Sequence, residues 1–306
     1  MWHFSFLWSD NQRQNAIKRP LWQVAKLALT VPVPLFQRLH EKAKRVEVDG
    51  NTYWLVEGDT LLDEDQLRFY AQQQEALQKA RAAARAAQQA GLPLVGITEP
   101  SAELVGIAQG NRIVRWAPGL DLAYCVLKPT FTVGQEAGYQ LAVDCMRKAT
   151  AGWEEACGVR FVYKAELDTS HKLQPQGVIF TVREFDAGGQ FIASAFFPND
   201  PINRRRVLID PSYYAPDLGF DKVGVLRHEL GHVLGWRHEH IRSGAPPGCP
   251  DEDTYGTINL TDYDPRSVMH YFCGGLGTQD FAITDLDKSG AQKVYGPPLG
   301  GFLFIQ

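Results

Sequence analysis

The chain has 306 residues, of which 22% are charged and 44% hydrophobic, and its formal net charge is −4. That length suits one large or two ordinary domains. The small negative balance gives no reason to expect a nucleic-acid partner. No run of about 18 apolar residues occurs, so no transmembrane segment is expected.

The first eight residues, Met1-Trp2-His3-Phe4-Ser5-Phe6-Leu7-Trp8, are aromatic. They lack the basic start, sustained apolar core and cleavage site of a signal peptide. Residues 1–45 mix aromatics, prolines and bases, and Val31-Pro32-Val33-Pro34 is expected to break any helix there. From Val46 to Leu62, alternating apolar residues about Asp49-Gly50 predict a short hairpin. Asp63 to Ala90 predicts one helix, with acidic residues in the first turn and Gly91 and Pro93 closing it. Its Ala-Arg repeats read as a solvated face. Leu92 to Asn111 is richer in Gly, Pro and small residues and reads as a linker.

The character changes at Arg115-Trp116-Ala117-Pro118. Strands are expected at Leu122–Leu127, Val159–Tyr163 and Gly177–Val182. An amphipathic helix is expected over Gly134–Cys157, with Tyr139, Leu141, Ala142, Cys145, Met146 and Trp153 facing inward. Gly189 to Pro198 reads as a further strand, and Asn203-Arg204-Arg205-Arg206 as a solvated loop. Helices follow at Lys222–Leu234 and Thr284–Tyr295, the latter with a capped acidic start in Thr284-Asp285-Leu286-Asp287. Ile241 to Pro265 between them is loop-like.

The chemistry concentrates in Arg227-His228-Glu229-Leu230-Gly231-His232-Val233-Leu234-Gly235-Trp236-Arg237-His238-Glu239-His240. His228 and His232 are four apart, so a helix places both imidazoles on one face, about 5–6 Å apart at Cβ. Both can then reach one Zn²⁺ at about 2.0–2.1 Å. His238 lies ten residues past His228, about 15 Å along a straight helix. It can join only if the chain turns back, and Gly235 sits where a left-handed helix stop is needed. Three histidines and an open fourth position describe a catalytic rather than a structural zinc. Glu229 beside them has the placement of a general base for a bound water. A methionine turn, Ser267-Val268-Met269-His270-Tyr271, follows.

Together, HExxHxxGxxH and the methionine turn resemble the metzincin metallopeptidases. Glu239 after the third histidine and Tyr271 at the end of the turn are most similar to the astacin family. The resemblance covers roughly residues 112–296. It implies an α+β fold with a zincin-like catalytic domain over 112–306, built on a twisted mixed sheet, an active-site helix and the Met-turn. A mainly helical pro-like region over 1–111 would precede it. It also implies one catalytic Zn²⁺ held by His228, His232 and His238, and hydrolysis of peptide bonds with Glu229 as general base. Met269 would pack beneath the histidines, Tyr271 would be a swinging fifth ligand that supports the oxyanion, and Glu239 would hold a new N-terminal amine after processing.

Val56-Glu57-Gly58-Asp59 resembles the FxGD segment of astacin propeptides, with Val for Phe. There the aspartate ligates the zinc and keeps the zymogen silent, which makes Asp59 a latch candidate; an ordinary Gly-Asp turn is the alternative. A cleavage within about 91–112 would then be activating. Gly189–Pro198 resembles the matrixin edge strand that pairs with an extended peptide substrate. Of the five cysteines, Cys249 and Cys273 flank the Met-turn and could pair or stay as thiols. Cys157 resembles the first cysteine of astacin domains, but the tail at 294–298 has no cysteine to match it. A monomer is expected, and the family likeness suggests secretion. A zinc-bound, non-hydrolytic peptide-binding protein is the alternative function.

Overall fold

In the computed structural model, residues 34–72, 104–109, 112–241 and 257–301 are described, with positions 75 and 86. The aromatic start, most of the helix expected over 63–90, the 92–103 part of the expected linker, and the loop carrying Cys249 lie outside the described residues.

The described N-terminal part holds a helix, α1 (Pro34–Lys42), and an antiparallel sheet of β1 (Lys44–Val48), β2 (Asn51–Val56) and β3 (Thr60–Leu62). The helix begins at Pro34, the last residue of the Val31–Pro34 motif expected to break a helix. Proline at the first helical position loses no hydrogen bond and carries the right φ, so Pro34 starts a helix. Between β1 and β2, Asp49 and Gly50 both adopt positive φ, 54° and 74°, as a two-residue type I′ turn requires. Helical residues 64–72 (α2) open with Gln66 N–H donating to Asp63 Oδ1 at 2.8 Å.

Strand alternation gives this small sheet two apolar faces. Trp54 and Val56 pack on Phe36, Leu67 and Ala71 of the two helices. Val46, Val48, Tyr53 and Leu61 pack on Ala187, Phe191 and Leu208 of the following body. Arginines border the second face. Arg183, itself buried, pairs with Asp49, and Arg204 reaches Asp63 at 2.9 Å and the Leu61 carbonyl at 2.8 Å. The Arg204 and Arg206 guanidinium groups lie 5.1 and 5.0 Å from the Tyr53 ring centroid. The solvated-loop reading of Asn203–Arg206 is therefore corrected: Arg204 and Arg206 are buried under the hairpin.

A second short sheet orders β11 (Thr257–Asn259), β4 (Val105–Gln109) and β5 (Arg112–Ile113). It runs across the 111/112 boundary, and Leu104 and Val105 are fully buried, Leu104 within the main core. Val105–Gln109 is thus strand, and Leu104 and Val105 are buried core, where the linker expected over Leu92–Asn111 would be exposed.

The main sheet has the order β7 (Arg160–Tyr163), β6 (Asp121–Val126), β8 (Phe180–Glu184), β10 (Arg206–Ile209) and β9 (Ala193–Ser194). It is mixed: four strands run parallel and β9 is antiparallel to β10 at the edge. The strand expected over Gly189–Pro198 is thus shortened to two residues, because Gly188 and Gly189 take positive φ and turn the chain before it. Three helices complete the body: α3 (Gln135–Ala156), α4 (Lys222–Leu234) and α5 (Asp285–Tyr295). The inward residues of α3 include Ala142, Cys145, Met146 and Trp153, and Trp153 Nε1 donates to the Arg227 carbonyl of α4 at 2.9 Å. Among the described residues no helix is long and apolar enough to cross a membrane. Cys125, Cys145 and Cys157 are buried thiols, and Cys273 is disulfide-bonded.

Candidate metal centre

Helix α4 has a defined start and stop. Asp221 caps it by accepting from Gly224 N–H at 2.6 Å. Gly235 ends it in the left-handed region at φ 100°, its N–H bonded to the Gly231 and His232 carbonyls. The reversal returns the chain through Trp236 and Arg237, whose N–H donates to the Val105 carbonyl at 2.7 Å, and carries His238 back to the first two histidines.

Each of those two rings is fixed from behind. His228 Nδ1 lies 2.7 Å from the Val268 carbonyl, and His232 Nδ1 lies 2.7 Å from the Trp236 carbonyl. A carbonyl only accepts, so both Nδ1 atoms carry the proton and both Nε2 atoms present lone pairs. His232 Nε2 and His238 Nε2 stand 3.2 Å apart, and His228 Nε2 is buried without a hydrogen-bond partner. Tetrahedral ligands at about 2.0–2.1 Å from zinc lie roughly 3.3 Å from one another. Asp59 Oδ2 sits 3.4, 3.6 and 3.2 Å from the Nε2 atoms of His228, His232 and His238. Four donors with this spacing and chemistry fit one zinc ion, and their ligand atoms all fall within 4.8 Å of one another.

The methionine turn closes the floor. Met269 is fully buried, and a Cβ added at Gly231 would stand 2.2 Å from its sulfur. The ligand helix packs on this methionine at a residue that carries no Cβ. Asp287, the third residue of α5, holds the turn: its carboxylate accepts from Ser267 Oγ at 2.6 Å, Val268 N–H at 2.9 Å and Thr284 N–H at 3.0 Å. Glu239 N–H donates to the Met269 carbonyl at 2.8 Å, and Glu239 Oε1 accepts from Asp264 N–H at 2.9 Å.

Glu229 is buried beside the ligands, accepts from the Ala195 backbone next to edge strand β9, and keeps Oε2 without a partner. Burial, then the Asp59 charge, raises its carboxyl well above the ordinary range. Burial would also raise Asp59, but the three histidines gathered around it, His238 foremost, hold its carboxyl well below its usual value. Burial pushes His232 down to about 4, which keeps it in the neutral form that binds a metal. The Tyr271 hydroxyl lies 2.5 Å from Asp59 Oδ2 and 2.7 Å from the Glu57 carbonyl. Its ring is stacked on His240, with centroids 4.7 Å apart.

All six positions singled out in the sequence, His228, Glu229, His232, His238, Tyr271 and Asp59, therefore meet at one place. Three contributors had no local signal. Asp287 reads as one acid of a helix start, Glu57 as a filler between Val56 and Gly58, and Arg237 as a base before a histidine. Arg237 pairs with Glu57, and Glu57 Oε2 lies 3.7 Å from His238 Nδ1.

No protein-family model matches the chain. It is similar to matrix metalloproteinase-16 of Rattus norvegicus and of Homo sapiens, in each case 30% identical over 122 residues, 37% of this chain and 16% of the relative. It is also 28% identical over 114 residues to matrilysin of Rattus norvegicus, covering 34% of that protein. Bone morphogenetic protein 1 of Xenopus laevis is 26% identical over 189 residues, 56% of this chain and 23% of the relative. The chain thus spans about a sixth to a third of the length of these relatives. Among solved structures, that of myroilysin aligns at 16% identity with a TM-score of 0.42, over 64% of this chain and all of the other. By its three-histidine motif, its methionine turn and these relatives, the chain is related to the metzincin metallopeptidases.

Proposed function

We propose that this chain is a zinc metalloendopeptidase held latent by its own N-terminal segment. The observation that carries the reading is the convergence of three histidine Nε2 atoms with Asp59 Oδ2 at the spacing of one tetrahedral ion. His228, His232 and His238 would hold Zn²⁺, which when bound polarises a water and a scissile carbonyl. Glu229 takes the proton of the attacking water and delivers it to the departing amine nitrogen. Its bond from the Ala195 backbone fixes it next to the edge strand along which an extended peptide would lie. Tyr271, once released from Asp59, has a hydroxyl ready to donate to the oxyanion of the tetrahedral intermediate.

Asp59 takes the ligand position a substrate needs, and the Tyr271 hydroxyl is engaged by the same carboxylate. Support for the latch comes from the burial of Asp59 and from Thr60–Leu62 facing Ser194–Phe197 across a small cavity. Activation would require a cut between the hairpin and Leu104. A zincin-like catalytic domain then begins before residue 112, and a secreted setting accords with the relatives.

The test is Glu229→Gln. Zinc content should stay at one per chain, while hydrolysis of casein by the cut protein falls at least about a hundredfold. A Glu229→Gln protein as active as the parent rejects the assignment. Zinc bound after a verified cut, with no hydrolysis of a broad peptide library, points instead to a peptide-binding protein.

A further inference from the structure

Glu57 has a backbone φ of 54°, in the left-handed region that glycine or asparagine enters with least strain. A glutamate there is held for its side chain. Its carboxylate is buried on the Arg237 guanidinium, with side-chain exposures of 2% and 12%. The same residue places Oε2 3.7 Å from His238 Nδ1 and its carbonyl 2.7 Å from the Tyr271 hydroxyl. Glu57 therefore lies within the cleft, between a ligand histidine and the tyrosine opposite. Arg237 is anchored without Glu57: its N–H is bonded to Val105, and it is flanked by fully buried Trp236 and His238. The backbone of Arg237 is thus held beside the metal site by contacts outside the N-terminal segment.

We propose that Arg237 forms a cationic subsite beside the third histidine, selecting an aspartate or glutamate side chain of the substrate, and that Glu57 fills this subsite in the latched chain. The inference rests on the peptidase reading above. A guanidinium presents paired donors to a carboxylate and is weakly hydrated, which suits a half-buried recognition site. Losing such a hydrogen-bonded charge contact changes selectivity about ten- to a hundredfold. Glu57 thus serves as a substrate side chain held in place while Asp59 blocks the metal.

The experiment uses the full chain, cut by an added protease within residues 73–103, on a peptide library read by mass spectrometry. For the parent, aspartate and glutamate should be enriched at one position relative to the scissile bond. Arg237→Gln should lose that preference by about tenfold or more in kcat/KM, and Arg237→Glu should turn it toward lysine and arginine. In the uncut chain, Glu57→Arg and Arg237→Glu should each raise basal hydrolysis, and the double exchange Glu57→Arg with Arg237→Glu should restore silence. Hydrolysis by the double variant once it is cut and diluted shows that it folds. Hydrolysis by the parent without any acidic preference, or with the same preference in Arg237→Glu, overturns the subsite and leaves the peptidase. No hydrolysis by the cut parent even after dilution has released the segment overturns both.

Discussion

Gly231→Ala probes how closely the ligand helix must sit on the methionine turn. The added Cβ would stand 2.2 Å from Met269 Sδ and 3.1 Å from Met269 Cε, with Trp153 Cζ2 at 3.4 Å on the other side. Comfortable packing of carbon against its neighbours needs about 3.5–4.0 Å. The thioether, or the helix and turn with it, must therefore move by roughly 1 Å or more, in a core where both Met269 and Trp153 are fully buried. Overpacking of this kind costs about 1–3 kcal/mol. At about 2–4 °C per kcal/mol for a body of this size, Tm should fall by roughly 2–12 °C. Movement of the turn also disturbs the carbonyl of Val268, which orients His228, so zinc affinity should drop about ten- to a hundredfold. The assay is calorimetry with zinc titration on Gly231→Ala, Met269→Ala and the double variant. Met269→Ala alone opens a cavity at about 2–5 kcal/mol. The double variant should be less destabilised than the sum, because the new methyl occupies part of that cavity. A Gly231→Ala protein with parental Tm and zinc affinity, or a strictly additive cycle, refutes the steric reasoning.

Removing the metal with a chelator should lower Tm, because zinc at about a hundred times its Kd stabilises the folded state by about 2.7 kcal/mol. A Tm indifferent to chelation and to added zinc would show that the four donors hold no ion. Asp287→Ala should cost about 3 kcal/mol or more, since three donors lose a buried acceptor, and a urea midpoint close to that of the parent would exclude this role. Gly58→Ala and Gly50→Ala share a left-handed strain of about 1 kcal/mol. Only at Gly58 would the new methyl meet the Tyr271 ring, at 3.0 Å, while Gly50 faces open space. Gly58→Ala alone should therefore raise hydrolysis by the uncut chain, and equal basal rates in the two variants would contradict the latch.

Much of the body that carries the histidines was legible because its signals are local. The four-residue histidine spacing, Gly235 as a left-handed stop and Thr284 as a cap each depend on one or two turns of chain. Helix α4 accordingly spans Lys222–Leu234, as its pattern predicts. What stayed hidden depends on distant partners. Strand β4 looks like a linker because its pairing residues are some 150 positions away at Thr257–Asn259. Arg204 and Arg206 look solvated because the Tyr53 ring they flank belongs to the hairpin. Asp287 looks like the third residue of a capping box and is one, yet its carboxylate also fixes the turn under the histidines.

The hairpin's seat on the body has a consequence for how activity would emerge. Val46, Val48, Tyr53 and Leu61 bury an apolar face on Phe191 and Leu208, and Asp49 and Asp63 meet Arg183 and Arg204. None of these contacts passes through residues 73–103. Cutting that stretch leaves every one of them intact and alters only the effective concentration of the segment, from that of a tethered group to that of a separate molecule. Activity after the cut should then depend on dilution: a concentrated solution of nicked protein stays quiet, and the same solution diluted below the dissociation constant of the segment becomes active.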